Sequence, residues 1–141
     1  MWLICAAHDT VIDMKELSKA LGVASGKLRA GDAAFMERIL GVAPGNVNLF
    51  SILNDKQNEI NLVMDKRLME DFELVAFHPM VNTSTTAFGR EHIQKIIDIS
   101  GHTATVLDFA SMGGGATATA AAGEKPAKKE PKKPKAPVEK A

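Results

Sequence analysis

As far as Phe109 the spacing of apolar and polar residues shifts repeatedly between strand-like and helix-like patterns. Trp2 to Ala7 is a short apolar run, the pattern of a buried strand. Asp13 then opens a helix. Glu16 stands three residues on, in the capping-box position, and Ile12 and Leu17 are placed as a hydrophobic staple. Leu17, Ala20 and Leu21 form its inner face, and Gly22 ends it. Lys27–Ala30 predicts a short strand. Asp32 caps a second helix that runs to Leu40, with Phe35, Ile39 and Leu40 facing inward and Gly41 as the stop.

Val42 to Asn46 is a turn by composition, with Pro44 and Gly45 adjacent. Val47–Leu53 and Glu59–Met64 predict two strands joined by a hairpin loop over 54–58. Asp65–Asp71 predicts a helical turn and Glu73–Phe77 a further strand. His78-Pro79 leaves regular structure, because proline cannot donate to a ladder. A third helix spans Arg90–Ser100, with Ile93, Ile96 and Ile97 on one face and Gly101 after it. Thr103–Phe109 predicts the last strand. Interleaved strands and helices with a hairpin predict an α/β (α+β) domain on a mixed sheet with flanking helices.

After Ser111 the character changes. Glycine, alanine and threonine run to Gly123, and Lys, Pro, Ala and Glu fill 124–141. No core-building pattern remains, so the division expected is a folded domain over 1–111 and a disordered tail over 112–141. Net charge is zero overall. The segment 124–141 holds seven Lys and three Glu, so a basic tail follows a mildly acidic domain. Such a tail suits a tether to another domain or an electrostatic hold on RNA. One cysteine excludes an internal disulfide framework, and no apolar run is long enough to cross a bilayer. A soluble, cytoplasmic protein without membrane or DNA contacts is expected.

The candidate chemistry is sparse. There is no P-loop, no dinucleotide fingerprint and no metal-ligand spacing among His8, His78, His92 and His102, so neither cofactor nor metal is expected. Cys5 lies in an apolar strand, where a thiol is inert. Two segments remain. Leu40 to Phe50 contains a glycine turn between a helix and a strand, which on physics alone reads as a plain connector before it reads as a cradle of backbone N–H groups for an oxyanion. Val75 to Thr86 gathers His78, Asn82 and three threonines where a strand ends, a place that suits a site as well as a structural cap.

The ordered set of these segments resembles the prolyl-tRNA editing family of the YbaK/ProX type. The stretches that carry the likeness are His8-Asp-Thr-Val-Ile-Asp-Met-Lys15, Leu40-Gly-Val-Ala-Pro-Gly-Asn-Val47, Leu53-Asn-Asp55 and Val63-Met-Asp65. Phe77-His-Pro-Met-Val-Asn-Thr-Ser-Thr-Thr86 and Ile99-Ser-Gly-His-Thr-Ala-Thr-Val-Leu-Asp-Phe109 complete it. The likeness covers residues 2–109 and is strongest over Phe77–Thr86. It is nearest to the subgroup that clears alanine from proline tRNA. It implies a barrel-like mixed sheet and hydrolysis of the ester between alanine and the terminal adenosine, with the tRNA's own ribose hydroxyl helping to activate water. It implies that Gly45 and His78 serve catalysis, and that Asn46, Val47, Asn82 and Thr83 line the substrate. The partners implied are mischarged tRNA and prolyl-tRNA synthetase.

Two departures from the family pattern are visible. Leu49 stands where the glycine loop closes with proline. The family's lysine belongs to an element upstream of the strand at Trp2, and Lys27 is no obvious substitute. The expectation is therefore a deacylase-like editing domain with impaired turnover. The alternatives are a non-catalytic piece that binds the tRNA end, or the editing portion of a larger prolyl-tRNA synthetase.

Overall fold

The computed structural model describes residues 1–112. In chain order the elements are β1 (Trp2–Cys5), α1 (Met14–Ala20), α2 (Ala33–Leu40), a 3-10 helix (Leu49–Asn54) and β2 (Asn61–Asp65). There follow α3 (Lys66–Glu70), β3 (Leu74–Phe77), β4 (Thr86–Gly89), α4 (Arg90–Ser100), β5 (Ala104–Leu107) and α5 (Phe109–Met112). The expected α+β class is what is observed. The strands fall into two sheets, and these do not close into a barrel. One is wholly parallel, ordered β1-β2-β5, with Leu3 opposite Leu62 and Met64 opposite Val106. The other is the antiparallel pair β3-β4, with Phe77 opposite Thr86.

The parallel sheet divides the core in two. Successive side chains of a strand point to opposite faces. Leu3, Cys5, Leu62 and Met64 therefore join one cluster with Ile39, Leu49, Ile52, Ile93 and Ile97. Val63 joins the other with Leu17 and Phe109, flanked by Trp2 and Ile4. The central strand β2 is covered on both faces, and Leu62, Val63 and Met64 are each 0% exposed. Each such side chain contributes about 1.5–3 kcal/mol of burial free energy.

The helix signals in the sequence hold well. Asp13 accepts from the Lys15 and Glu16 amides, and Asp32 accepts from Phe35. Gly41 and Gly101 take the left-handed conformation at the ends of α2 and α4. In α1, however, Ser18 rather than Ala20 is buried beside Leu17.

The strands fare less well. Lys27–Ala30 alternates like a strand, but the left-handed Gly26 precedes it and it pairs with no strand, so it runs as a loop. Val47–Leu53 is no strand either. Asn48 caps a 3-10 helix through a reciprocal box with Ser51. Leu49 and Ile52, three residues apart, share a face in a three-residue turn and are both fully buried. The hairpin expected over 54–58 is therefore absent, and β2 pairs in parallel on both sides instead. β4 and the short α5 had no clear sequence signal. The expected tail beyond Met112 lies outside the described residues.

Candidate functional site

Ala43, Pro44, Gly45 and Asn46 form a tight turn in which the Asn46 N–H donates to the Ala43 carbonyl at 3.0 Å. Proline at the second position and a positive φ at the third define a type II turn. Gly45 has φ +90, a conformation that favours glycine, and nothing lies within 4 Å of where a Cβ would project. Its place in the turn is therefore set by backbone angle and not by crowding. Because the Asn46 N–H closes the turn, the amides left for a substrate are those of Gly45 and Val47, which donate to no group among the described residues. Asn48 was missed by the sequence reading. Its side chain donates to the Asn46 carbonyl at 2.8 Å and accepts from the Phe50 amide at 2.8 Å. It thereby ties the end of the turn to the start of the 3-10 helix across Leu49. The signal available was the Asn48-x-x-Ser51 capping spacing.

His78 begins the loop between β3 and β4. Its Nδ1 lies 2.9 Å from the Ser84 carbonyl and 3.2 Å from Thr85 Oγ1, which spans the mouth of the hairpin. A carbonyl can only accept, so Nδ1 carries a proton, and in the neutral ring the lone pair is on Nε2. The ring is exposed and held in one orientation. Asn82 and Thr83 sit in the turn at the tip of this loop, both exposed. Met80, within the loop, has φ +64, a strained value for a residue with a side chain. Its amide bonds the His78 carbonyl at 2.9 Å.

The two loops share a foundation. Phe50, two residues after Asn48, packs edge-on against Phe77 at 6.3 Å and Phe88 at 5.5 Å between ring centroids. Phe77 and Phe88 stack at 5.8 Å. Val47, Phe77, Met80 and Phe88 all rest on the larger core cluster. The helix that follows the glycine turn is thus packed against the hairpin that carries His78, although the loops exchange no hydrogen bond. A groove of about 680 Å³ lies beside β1, lined in part by Val47, Trp2, Phe35, Lys27 and Arg29. Of the six candidate site residues only Val47 lines it.

Other motif residues turn out to be internal braces. Asp65 is fully buried and accepts from the Ala7 amide, Thr10 Oγ1 and the Arg67 amide. Arg67 meets Asp9 through its two terminal guanidinium nitrogens at 2.9 and 3.2 Å, which holds the Asp9 carboxyl below its usual range. His102 Nε2 lies 3.0 Å from Asp55 Oδ2, and both side chains are nearly inaccessible. Burial pushes the Asp55 carboxyl up. The bonds from His102 and from the Glu59 and Ile60 amides outweigh this and leave it below the ordinary value. The Cys5 thiol is pushed up to about 12 by burial, which removes it as a nucleophile. Among the described residues no three His, Cys, Asp or Glu side chains converge as a metal site.

Comparison with known proteins adds a family. The sequence profile described as aminoacyl-tRNA editing domain matches residues 1–96. The chain is 34% identical over 109 residues to the prolyl-tRNA synthetase associated domain-containing protein 1 of Mus musculus, covering 77% of this chain and 64% of that one. It is 32% identical over 108 residues to the prolyl-tRNA editing protein ProX of Acetoanaerobium sticklandii, with the same two shares, 77% and 64%. The chain thus spans about 64% of the length of these relatives. A candidate proline–tRNA ligase of Schizosaccharomyces pombe is 29% identical over 140 residues, 99% of this chain and 19% of the ligase.

Proposed function

The chain belongs to the aminoacyl-tRNA editing domain family, and from that premise we propose that it is a deacylase-type editing module acting on alanine wrongly esterified to proline tRNA. The choice of tRNA is supported by the relatives, which are named for prolyl-tRNA editing or for association with prolyl-tRNA synthetase. The amino acid follows from size. A pocket built for proline cannot exclude a smaller apolar side chain by more than about 10–200-fold, so a second site must destroy the error. The partner is a prolyl-tRNA synthetase. The ligase whose sequence matches nearly the whole chain suggests that such a module also works within one polypeptide.

The observation that supports this reading is the Phe50–Phe77–Phe88 cluster, which packs the 3-10 helix after the glycine turn against the hairpin that carries His78. Ester hydrolysis needs a positioned water and donors for the tetrahedral oxyanion. The free Gly45 and Val47 amides supply the donors. His78 Nε2 accepts a hydrogen bond from the substrate's amino group or from the water. Water adds to the carbonyl carbon, the bond to the ribose oxygen breaks, and that oxygen leaves with a proton. Asn82 and Thr83 close over the aminoacyl end from the hairpin tip, and Asn46 orients the turn.

The test is to incubate the chain with alanyl-tRNA(Pro) and follow the ester. Loss above the buffer rate is expected. Gly45→Ala meets no clash but strains the turn by about 1–2 kcal/mol. Displacing an oxyanion donor in this way should lower the rate about 100-fold or more. His78→Ala should lower it by at least about tenfold. Binding of the charged tRNA without turnover would replace this reading with that of a tRNA-end-binding piece. Turnover indifferent to both substitutions would displace the site.

A further inference from the structure

Asn48 stands three residues after Gly45 and three before Ser51, and its side chain works at both ends. Its amide oxygen accepts from the Phe50 N–H at 2.8 Å, and its amide nitrogen donates to the Asn46 carbonyl at 2.8 Å. One neighbour can only donate and the other only accept, so the amide has a single orientation. Its backbone is held too. The Asn48 N–H meets Ser51 Oγ, that hydroxyl donates to the Asn48 carbonyl, and Ser51 is fully buried. Asn46 is thereby fixed from two sides. Its N–H closes the turn on Ala43, and its carbonyl is claimed by Asn48. In a trans peptide the C=O of one residue and the N–H of the next point in opposite directions. The bond to the Asn46 carbonyl therefore sets the aim of the Val47 N–H, which donates to no group among the described residues. Val47 itself rests on the larger core cluster. Without that bond the 46–47 peptide can turn between two anchored Cα atoms, because ψ of one residue and φ of the next compensate, and the rest of the fold need not move.

We propose that Asn48 is a positioning residue for ester hydrolysis, its side-chain NH2 aiming the Val47 N–H at the oxyanion through the 46–47 peptide. The inference rests on the editing reading for the reaction and goes beyond it in naming what holds a donor in place. A donor is effective only when it is aligned before the charge develops. The same geometry gives a reason for an amide at this position. Asn, Asp and Ser cap a helix about equally well. Of the three, only Asn carries two separate atoms, an oxygen that accepts from one backbone amide and a nitrogen that donates to a carbonyl beyond it.

The test pairs kinetics with amide dynamics in the full chain. Asn48→Asp keeps the cap and the shape but turns an oxygen toward the Asn46 carbonyl. Asn48→Ser keeps a cap without adding charge and lacks the donor. With alanyl-tRNA(Pro), both should lower kcat by about tenfold or more and leave KM within about twofold, because the aimed donor acts in the transition state and not in substrate binding. Thermal midpoints should match that of the wild type. Nitrogen-15 relaxation should show the Val47 amide loosened in both variants, with Phe50 and Ser51 as rigid as before. An unchanged kcat in both variants overturns the proposal, and so does a Val47 amide that stays rigid. A loss confined to Asn48→Asp overturns it as well, since the added charge alone would then account for it. Loss of kcat together with a lowered midpoint and loosened Phe50 and Ser51 amides would make Asn48 a cap and nothing more, which also overturns it. A wild-type chain that leaves the ester intact sinks the editing reading, while the relaxation data still uphold or overturn the pinning of the 46–47 peptide by Asn48.

Discussion

Asp55 is 2% exposed, and every group around it favours its charge. Two backbone amides and the His102 ring donate to its oxygens. The ring's other nitrogen faces the Ser100 carbonyl and hydroxyl oxygen. That hydroxyl spends its own hydrogen on Ile97, so both ring nitrogens look at acceptors. Leaving a buried hydrogen-bonding partner unsatisfied costs about 1–3 kcal/mol, and more beside a charged group, a large share of the ~5–15 kcal/mol that holds a small domain together. Asp55→Asn should therefore lose about 3 kcal/mol in urea unfolding at pH 7. The pH dependence has a definite sign. The folded carboxyl titrates below its unfolded value of about 4, so its stabilisation is complete above that value and is lost as pH falls through the folded one. Acid should destabilise the native protein more steeply than the Asn variant, and parallel curves would contradict the assignment. Asp55 and His102 both stood in stretches that carried the family likeness. Their pairing, across 47 positions, had no local signal.

At the scale of elements, legibility followed the range of the forces involved. Caps are local, and Asp13, Asp32, Gly41 and Gly101 marked helix ends that the structure confirms. Strands depend on partners, and Val47–Leu53 and Lys27–Ala30 show alternation without one. The apolar 3-10 run was misread because Leu49 and Ile52 suit a three-residue turn as readily as a short strand. The glycine turn and the His78 segment could both be picked out in the sequence, but the aromatic link between them could not. That link makes a prediction. Phe50→Ala should cost about 2–3 kcal/mol for a partly buried ring. Amide exchange should accelerate in both 43–48 and 78–86. Acceleration in one segment alone would mean that the cluster does not couple the loops.

For the whole molecule, the described domain and the segment after it carry opposite charge, and no helix among the described residues is long and apolar enough to cross a membrane. The described residues hold two core clusters of their own. Deleting 113–141 should therefore leave the thermal midpoint unchanged. It should weaken binding of whole tRNA mainly at low salt, because exposed charges are screened beyond about 10 Å at 0.1 M. Affinity unaltered at every salt concentration would deny that segment an electrostatic role. The match of the S. pombe ligase to nearly the entire chain shows that the domain and this segment have a joint counterpart inside a longer polypeptide.

The thiol of Cys5, buried in β1, is a built-in clock: a thiol reagent reaches it only when the sheet opens, so its slow labelling would time the breathing of the native fold.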